Sequence, residues 1–186
     1  MKYNLHMDQN KITFKTLEDK DFPILHKWMN LDFVSRWYDK RKFIYDDVER
    51  EYSMRIKEDT PIESYIIYYE DKPIGYIHNF RVYDYPEYAL AVLVEKTTYA
   101  MDMFIGDQEY TGKGLGKEII GKFIREIVFQ KEDCESCIVG LEKDYPNAIR
   151  AYEKAGFTYL KTVPSVGSPD PEYIMEVRKM NDKSPL

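Results

Sequence analysis

The chain is poor in the residues that build metal sites and disulfide frameworks. Its 186 residues include two cysteines and three histidines. Cys134 and Cys137 stand three residues apart and lead into an apolar run, whereas a thioredoxin-type pair would open a helix and a zinc site would need two further ligands nearby. The histidines His6, His26 and His78 lie far upstream and are expected to be surface or packing residues. The sequence therefore predicts neither a redox pair nor a metal site.

Long apolar runs and an excess of positive charge are also absent. No run approaches the roughly 20 residues of a membrane helix, and the first residues lack the apolar segment of a signal peptide, so a cytoplasmic location is expected. With 33 acidic and 27 basic residues the formal net charge is −6. Phosphates repel such a chain. We therefore expect a cationic partner, and neither nucleic acid nor a membrane.

Most of the acid excess falls in one stretch of the sequence. Residues 84–109 contain six acidic side chains and one lysine, a net charge of −5, the acids being Asp84, Glu87, Glu95, Asp102, Asp107 and Glu109. Such a run is usually a solvated surface loop. The alternative is a wall that attracts a cationic ligand, and both interpretations stay open at this point.

Hydrophobic periodicity predicts one α/β domain over residues 1–180 and a flexible tail at 181–186. Period-2 and β-branched runs predict six or seven strands, and 3.6-residue stripes predict four or five helices. The strands are expected at 12–16, 62–70, 74–82, 97–105, 136–141, 157–162 and 172–179. The helices are expected at 18–30, 32–38, 45–58 and 147–155, and after the glycines at 112–116, where an apolar stripe extends to Val128. Residues 83–96 are expected to be irregular, and Gly156 to end the last helix.

Gly112, Gly114 and Gly116 alternate at a predicted junction between a strand and a helix. Backbone N–H groups at such a junction converge on an anion, and the helix dipole adds positive potential. A P-loop would need Ser or Thr where Glu118 stands, and a dinucleotide fingerprint would need Gly where Ile119 stands, so both motifs are excluded. A purely structural turn remains the alternative. Basic residues around the loop favour an anion: Lys113, Lys117, Lys122 and Arg125.

Three segments of the second half occur in a characteristic order. They are a strand that ends Met101-Asp-Met-Phe-Ile105, the loop Gly112-Lys-Gly-Leu-Gly116, and the helix Asn147-Ala-Ile-Arg-Ala-Tyr-Glu-Lys-Ala-Gly-Phe157. This order resembles the GNAT acetyltransferase superfamily, in which the loop reads (Gln/Arg)-x-x-Gly-x-Gly; here Thr111 stands at its first position. The resemblance implies a GNAT fold, a central mixed sheet flanked by helices, and acetyl-CoA bound through its pyrophosphate at the loop.

Further matches extend the resemblance over nearly the whole chain. They are Lys27-Trp28, Lys72-Pro-Ile-Gly-Tyr76, Tyr83-Asp84 and Ala100-Met-Asp-Met-Phe-Ile-Gly106. With them the chain is most similar to aminoglycoside 6′-N-acetyltransferases, although Met103 replaces their Gln and Glu142 their Asp. The resemblance implies acetyl transfer to the 6′-amine of a small polycationic acceptor. Other acceptors stay open (a polyamine, a siderophore hydroxylamine or a protein N-terminus), as does a non-catalytic CoA-binding module.

Two residues are candidates for acid–base chemistry. Asp102 interrupts an apolar strand, where a carboxylate is costly unless it is paired or working. We expect it to act as the general base or to hold the ammonium ion; the alternative is that it faces solvent or caps a backbone amide. The resemblance places Tyr152 near the CoA sulfur as the general acid, against the alternative of a packed aromatic. Because the cysteines lie elsewhere, direct transfer is expected.

The resemblance also implies two sets of binding residues. Acetyl-CoA would contact Phe104, Ile105, Gly112, Lys113, Gly114, Leu115, Gly116, Lys117, Asn147 and Tyr152, the first two through the backbone of a splayed strand. The acceptor would contact Tyr83, Asp84, Asp102, Glu142 and Trp37, while Trp28 is expected in the core. The oligomeric state is left as monomer or homodimer.

Overall fold

Seven stretches of alternating or β-branched sequence form one mixed sheet. The computed structural model describes residues 8–57, 59–166 and 169–180. Its strands are β1 (Ile12–Thr16), β2 (Glu63–Tyr69), β3 (Lys72–Arg81), β4 (Thr98–Ile105), β5 (Ser136–Glu142), β6 (Thr158–Val163) and β7 (Glu172–Arg178). They lie in the order β1-β2-β3-β4-β5-β7-β6. Neighbours are antiparallel except β4 and β5, which are parallel. The expected α/β architecture with a mixed sheet is confirmed.

Six α-helices flank the sheet in the described part of the chain, one more than the sequence predicts. They are α1 (Phe22–Met29), α2 (Asp32–Ser35), α3 (Tyr45–Ile56), α4 (Pro86–Val92), α5 (Leu115–Glu126) and α6 (Pro146–Lys154). Gly156 follows α6 with a φ of +99°, as expected of a glycine that ends a helix. The helix predicted at 32–38 is only the four residues of α2. Helix α5 ends at Glu126, and Val128, the last residue of the apolar stripe, lies in the 3₁₀ turn that follows.

Helix α4 corrects the prediction that residues 83–96 are irregular. Pro86 occupies its first turn, where the missing N–H costs nothing. The helix ends at Leu93, whose φ of +47° is left-handed. Seven residues are too few to display a 3.6-residue stripe, and for that reason periodicity misses this helix. Val92 nevertheless packs in a small apolar cluster with Ala100 of β4 and Ile174 of β7.

The two faces of the sheet carry separate apolar cores. On one face Ile119 and Phe123 of α5 pack against Ile77 and Met101 of the sheet. On the other face Trp28 of α1 and residues of α3 pack against β3 and β4, including Tyr52, Tyr76 and Phe104. Trp28 is 4% exposed, so the expectation that it lies in the core is confirmed. Gly106 makes room for it, since a Cβ there would come within 2.2 Å of the indole.

The parallel strands β4 and β5 separate along their length. In the described residues their ladder runs only from Thr98–Ser136 to Ala100–Ile138. Beyond Ala100 the second half of β4, which includes Asp102, has no partner strand on that side. This splay opens a cleft between β4 and β5.

The remaining expectations about organisation concern the ends of the chain. The tail at 181–186 lies outside the described residues, so the domain boundary at residue 180 stays a prediction. None of the helices described is long and apolar enough to cross a membrane.

Candidate active site

A cleft of about 930 Å³ follows the gap between β4 and β5. At one end it is lined by the glycine loop that precedes α5, including Gly112, Gly114 and Lys117. Toward the other end it is lined by side chains of β3, β4, β5 and β7, among them Asp102 and Glu142. One cavity thus joins the predicted anion site to the predicted acid–base residues.

The glycine loop has the geometry of an anion cradle. Gly112 and Gly114 adopt φ values of +69° and +79°, which L-residues with side chains rarely adopt. A Cβ at either position would meet no atom within 4 Å, so backbone conformation rather than crowding requires glycine there. Gly114 is the N-cap of the twelve-residue helix α5, whose first N–H groups have no partner within the helix. These donors suit a phosphate or diphosphate.

Cationic side chains line the same cleft, but only one of them is among those that sequence proximity indicated. Lys117, Arg150 and Lys154 are lining residues, whereas Lys113 is exposed beside the loop. Lys122 lies elsewhere, because its ammonium donates to the backbone carbonyl of Ile12 at 2.7 Å. Of the expected basic patch from Lys113 to Arg125, only Lys117 lines the cleft, and Arg150 and Lys154 of α6 complete its set of cations.

Asp102 lies on the cleft face of β4. The Met103 N–H donates to its Oδ1 at 2.7 Å, so it does cap a backbone amide, but it also lines the cleft. Burial raises the pKa of Asp102 to about 7, and the charge of Glu172 adds to this, against the Met103 amide and the guanidinium of Arg55. A carboxyl group with a pKa near neutrality is a far better proton acceptor than a free one.

Tyr152 of α6 presents a buried hydroxyl to this cleft. The residue is 3% exposed, and its ring packs edge-on against Phe157 with centroids 5.1 Å apart. Its hydroxyl has no hydrogen-bond partner among the described residues. Burial, and secondarily the charge of Asp102, raises the pKa of Tyr152 well above its usual value. The phenol thus stays protonated and has a hydrogen free to donate.

The other residues expected to contact acetyl-CoA also line the cleft, but they lie on different elements. Phe104 and Ile105 lie on the splayed half of β4 and line the cleft. Leu115 is also a lining residue, although it is almost wholly buried in the core below α5. Asn147 lies in the first turn of α6, lines the cleft, and accepts a hydrogen bond from Arg150 at 2.7 Å.

Two polar residues of the cleft are absent from the sequence prediction. His78 of β3 is the cross-strand partner of Asp102, is 8% exposed, and has a buried Nδ1 without a hydrogen-bond partner among the described residues. Burial and the nearby Arg55 lower its pKa to about 3, so it is neutral. Glu172 opens β7 and accepts hydrogen bonds from Ser165 and Tyr88. His78 could have been noticed as a polar residue within the apolar strand predicted at 74–82, whereas no local pattern marks Glu172.

Comparison with known proteins shows which family the chain belongs to. Residues 18–164 match the family described as the acetyltransferase (GNAT) domain. The chain belongs to this family. It is 22% identical over 186 residues to aminoglycoside N(6′)-acetyltransferases type 1 of Klebsiella pneumoniae and Serratia marcescens, covering 98% of this chain and 92% of each relative. The GNAT family membership expected from the loop and α6 is confirmed.

Solved structures agree with the fold of this GNAT domain. Aminoglycoside acetyltransferase AAC(6′)-Ib in complex with paromomycin and acetyl-CoA superposes with a TM-score of 0.82 and 21% identity over 91% of this chain and 94% of that one. The same enzyme with coenzyme A and kanamycin gives a TM-score of 0.80 and 22% identity over 90% and 95% of the two chains. At this identity the likeness establishes the shared fold.

The GNAT cleft is bridged by side chains from the loop between α2 and α3. The ring of Trp37 stacks on Tyr145, with centroids 4.2 Å apart and planes 4° apart. The ammonium of Lys40 lies 2.9 Å from Glu142 and 3.5 Å from Asp170. Trp37 and Glu142 therefore lie in the cleft wall as predicted, and together these contacts form a roof across it.

The acids of the stretch 84–109 do not form a charged wall of this cleft, so that interpretation of its charge is wrong. Of its six acids only Asp102 is a lining residue. Asp107 and Glu109 pair with Lys72, and Glu95 pairs with Arg178. The acids at the cleft come from distant parts of the chain: Asp102, Glu142, Asp170 and Glu172.

Tyr83 and Asp84 are not brought to this cleft either. Tyr83 is exposed, and the ammonium of Lys96 lies 5.9 Å from the centre of its ring. Asp84 lines a separate pocket of about 490 Å³. They follow the end of β3 in a short 3₁₀ turn, which leads the chain away from the splayed half of β4.

The two cysteines are buried thiols. Cys134 is 1% exposed and Cys137 is fully buried. Burial raises the pKa of Cys134 to about 11 and that of Cys137 well above its usual value. Neither thiol is thus a ready nucleophile. The described residues contain no group of three or more His, Cys, Asp or Glu side chains placed to hold a metal ion.

Proposed function

We propose that this chain is an acetyl-CoA-dependent N-acetyltransferase whose acceptor is the 6′-amine of an aminoglycoside. The observation that carries the proposal is that Asp102 and Tyr152 line one cleft whose far end is an anion cradle. Asp102 is a carboxyl group with a raised pKa, and Tyr152 a phenol without a hydrogen-bond partner in the described part of the chain. The full-length similarity to aminoglycoside N(6′)-acetyltransferases supports the choice of acceptor.

The residues at the acetyl-CoA end of the cleft have the chemistry that a bound diphosphate requires. The open, positive-φ glycines Gly112 and Gly114 and the start of α5 supply backbone N–H donors for a diphosphate. Lys113, Lys117 and Arg150 supply positive charge at or beside the loop. Acetyl-CoA provides the acetyl group as a thioester. We expect the remaining contacts along its arm from Phe104, Ile105, Leu115, Gly116 and Asn147.

Asp102 and Tyr152 divide the proton transfers between them. Asp102 removes one proton from the acceptor ammonium, and the nitrogen then forms a bond to the thioester carbon. Backbone N–H groups of the splayed half of β4 stabilise the oxyanion. When the carbon–sulfur bond breaks, Tyr152 gives its proton to the sulfur and regains one from the newly acylated nitrogen. The proton on Asp102 leaves to solvent, so the products are the amide, CoA thiol and one proton.

The acceptor end favours a small polycation. Four carboxylic acids line it, and Trp37 stacked on Tyr145 supplies an aromatic wall. The roof that joins Lys40 to Glu142 and Asp170 narrows the cleft, which favours a small molecule over the N-terminus of a protein. Tyr83 and Asp84 have no part in this proposal.

Matched antibiotics test the assignment. Neomycin and paromomycin differ in carrying an amine or a hydroxyl group at the 6′ position. We expect thiol release from acetyl-CoA with neomycin and kanamycin, a product acetylated at 6′ by NMR, and no release with paromomycin. Spermidine in the same assay tests the polyamine alternative. The proposal is overturned if no 6′-amino aminoglycoside is turned over, or if paromomycin is acetylated as fast as neomycin.

The predictions about cellular context go with this proposal. We expect a cytoplasmic enzyme, a monomer or homodimer, without nucleic acid or membrane partners. Size-exclusion chromatography with light scattering tests the oligomeric state.

A further inference from the structure

Glu172 has a carboxylate that the structure orients toward the cleft. Ser165 donates to its Oε1 at 2.8 Å, and the Tyr88 hydroxyl donates to its Oε2 at 3.4 Å. The carboxylate lies over Gly140, where a Cβ would come within 2.3 Å of Oε2. Three separate elements thus hold this side chain in place: α4 through Tyr88, β5 through Gly140, and the segment before β7 through Ser165.

Among the described residues, no cation pairs with the charge of Glu172. Glu142 and Glu172 are direct register partners on β5 and β7, and like charges in that position repel. Glu142 is paired with Lys40, whereas none of the ion pairs among the described residues includes Glu172. Its two polar partners are neutral hydroxyls, which orient a carboxylate without neutralising it.

We propose that Glu172 is a specificity-determining residue, which binds a second ammonium group of the acceptor while Asp102 deprotonates the first. This inference rests on the proposed function and deepens it. A cation bound between Glu172 on β7 and Glu142 on β5 reduces the repulsion between these two carboxylates. It also donates hydrogen bonds to the free lone pairs of the oriented Glu172 carboxylate. The enzyme would therefore select acceptors that carry at least two amines.

The decisive variant is Glu172→Gln, which keeps the shape and removes the charge; one hydroxyl still donates to the amide oxygen, and the other can accept from the amide nitrogen. With neomycin as acceptor we expect KM to rise about tenfold or more, the scale of one charge-assisted hydrogen bond, while kcat stays within about threefold. With methyl 6-amino-6-deoxyglucoside, which carries a single amine, kcat/KM on the plateau above the acid limb should be the same for variant and wild type. Tyr88→Phe and Ser165→Ala should raise the KM for neomycin less, because they loosen the carboxylate without removing it.

A second readout separates this role from a structural one. The charge of Glu172 raises the pKa of Asp102 and that of Arg55 on α3 lowers it, while His78 of β3 is the cross-strand partner of Asp102. Loss of the negative charge at 172 should move the acid limb of kcat/KM for the single-amine acceptor to lower pH, and a thermal melt should show the variant folded.

Three results overturn the inference: an unchanged KM for neomycin, an equal loss for both acceptors, or an acid limb that does not move. Failure of the proposed function is distinct, because wild type itself would then turn over no 6′-amino aminoglycoside.

Discussion

Asp102 has surroundings that shift its pKa in opposite directions. Burial and the charge of Glu172 raise it, while the Met103 amide and Arg55 lower it, and the balance lies near pH 7. The sequence could predict a costly carboxylate in an apolar strand. It could not predict the balance, because Glu172 and Arg55 come from other parts of the chain.

Replacement of Asp102 by Asn tests the base assignment. The amide keeps the shape and can still accept the Met103 N–H, but it cannot take a proton, so we expect kcat to fall ~100-fold or more. The wild-type profile of kcat/KM against pH should show an acid limb near pH 7 that the variant lacks. An unchanged limb in the variant would assign that limb to another group.

Replacement of Tyr152 by Phe tests the acid assignment. The Tyr152 hydroxyl is buried with no hydrogen-bond partner in residues 8–57, 59–166 and 169–180, so its removal should leave the melting temperature unchanged or raise it. We expect kcat to fall ~100-fold because the leaving thiolate loses its proton donor, with little change in the KM for acetyl-CoA. A variant as active as wild type would make Tyr152 a packing residue.

At the scale of elements, the glycine loop and α5 were predictable because their signals are local. Alternating glycines and a 3.6-residue stripe suffice to predict a loop that opens a helix. Helix α4 was missed, and with it Tyr88, which holds Glu172 in the cleft. A short helix that gains its stability from packing against the sheet leaves little periodicity to read.

Replacement of Gly114 by Ala tests the loop as an anion cradle. At a φ of +79° the alanine is strained, so we expect the loop to shift and the KM for acetyl-CoA to rise about tenfold, with stability lowered by about 1 kcal/mol. The matched control is Gly121→Ala in the middle of α5. There the new Cβ faces only the mobile end of Arg125, and better helix propensity should stabilise the protein by up to about 1 kcal/mol without affecting KM. Equal KM values for the two variants would contradict the cradle.

At the scale of the whole molecule, Asp102 and His78 give opposite contributions to stability as the pH changes. The raised pKa of Asp102 means that the folded protein holds an extra proton between about pH 4 and 7, so its contribution is lost as the pH rises through that range. The lowered pKa of His78 means that the folded protein holds one proton fewer between about pH 3 and 6.5, so stability is lost as the pH falls.

Urea unfolding at pH 4.5 and pH 7 measures these opposite contributions of Asp102 and His78 to stability. We expect the free energy of unfolding of Asp102→Asn to rise more steeply with pH than that of wild type, and that of His78→Gln to rise less steeply or to fall. The same slope in all three proteins would mean that neither group has a perturbed pKa in the folded state.

The net charge of the molecule proved a poor guide to the site. Residues 84–109 hold most of the acid excess, yet folding pairs Asp107 and Glu109 with Lys72 and leaves only Asp102 in the cleft. The other acids of the cleft, Glu142, Asp170 and Glu172, belong to a part of the chain that is close to neutral overall. The charge of a linear stretch thus says little about the charge of a cavity.

Sequence alone determined most of the features that depend on near neighbours in the chain: the sheet-forming segments, the helices other than α4, and the glycine loop. It also offered Asp102 as a candidate base from its place in an apolar strand, whereas the candidate Tyr152 came from the family resemblance. Only the tertiary structure decided which side chains share the cleft. Strand pairing sets Glu142 opposite Glu172, and packing brings Tyr88 to a carboxylate 84 residues away. The physical reason is that periodicity and turn chemistry are local, whereas the contents of a site follow from strand register and helix packing, which join residues with no relation in the sequence.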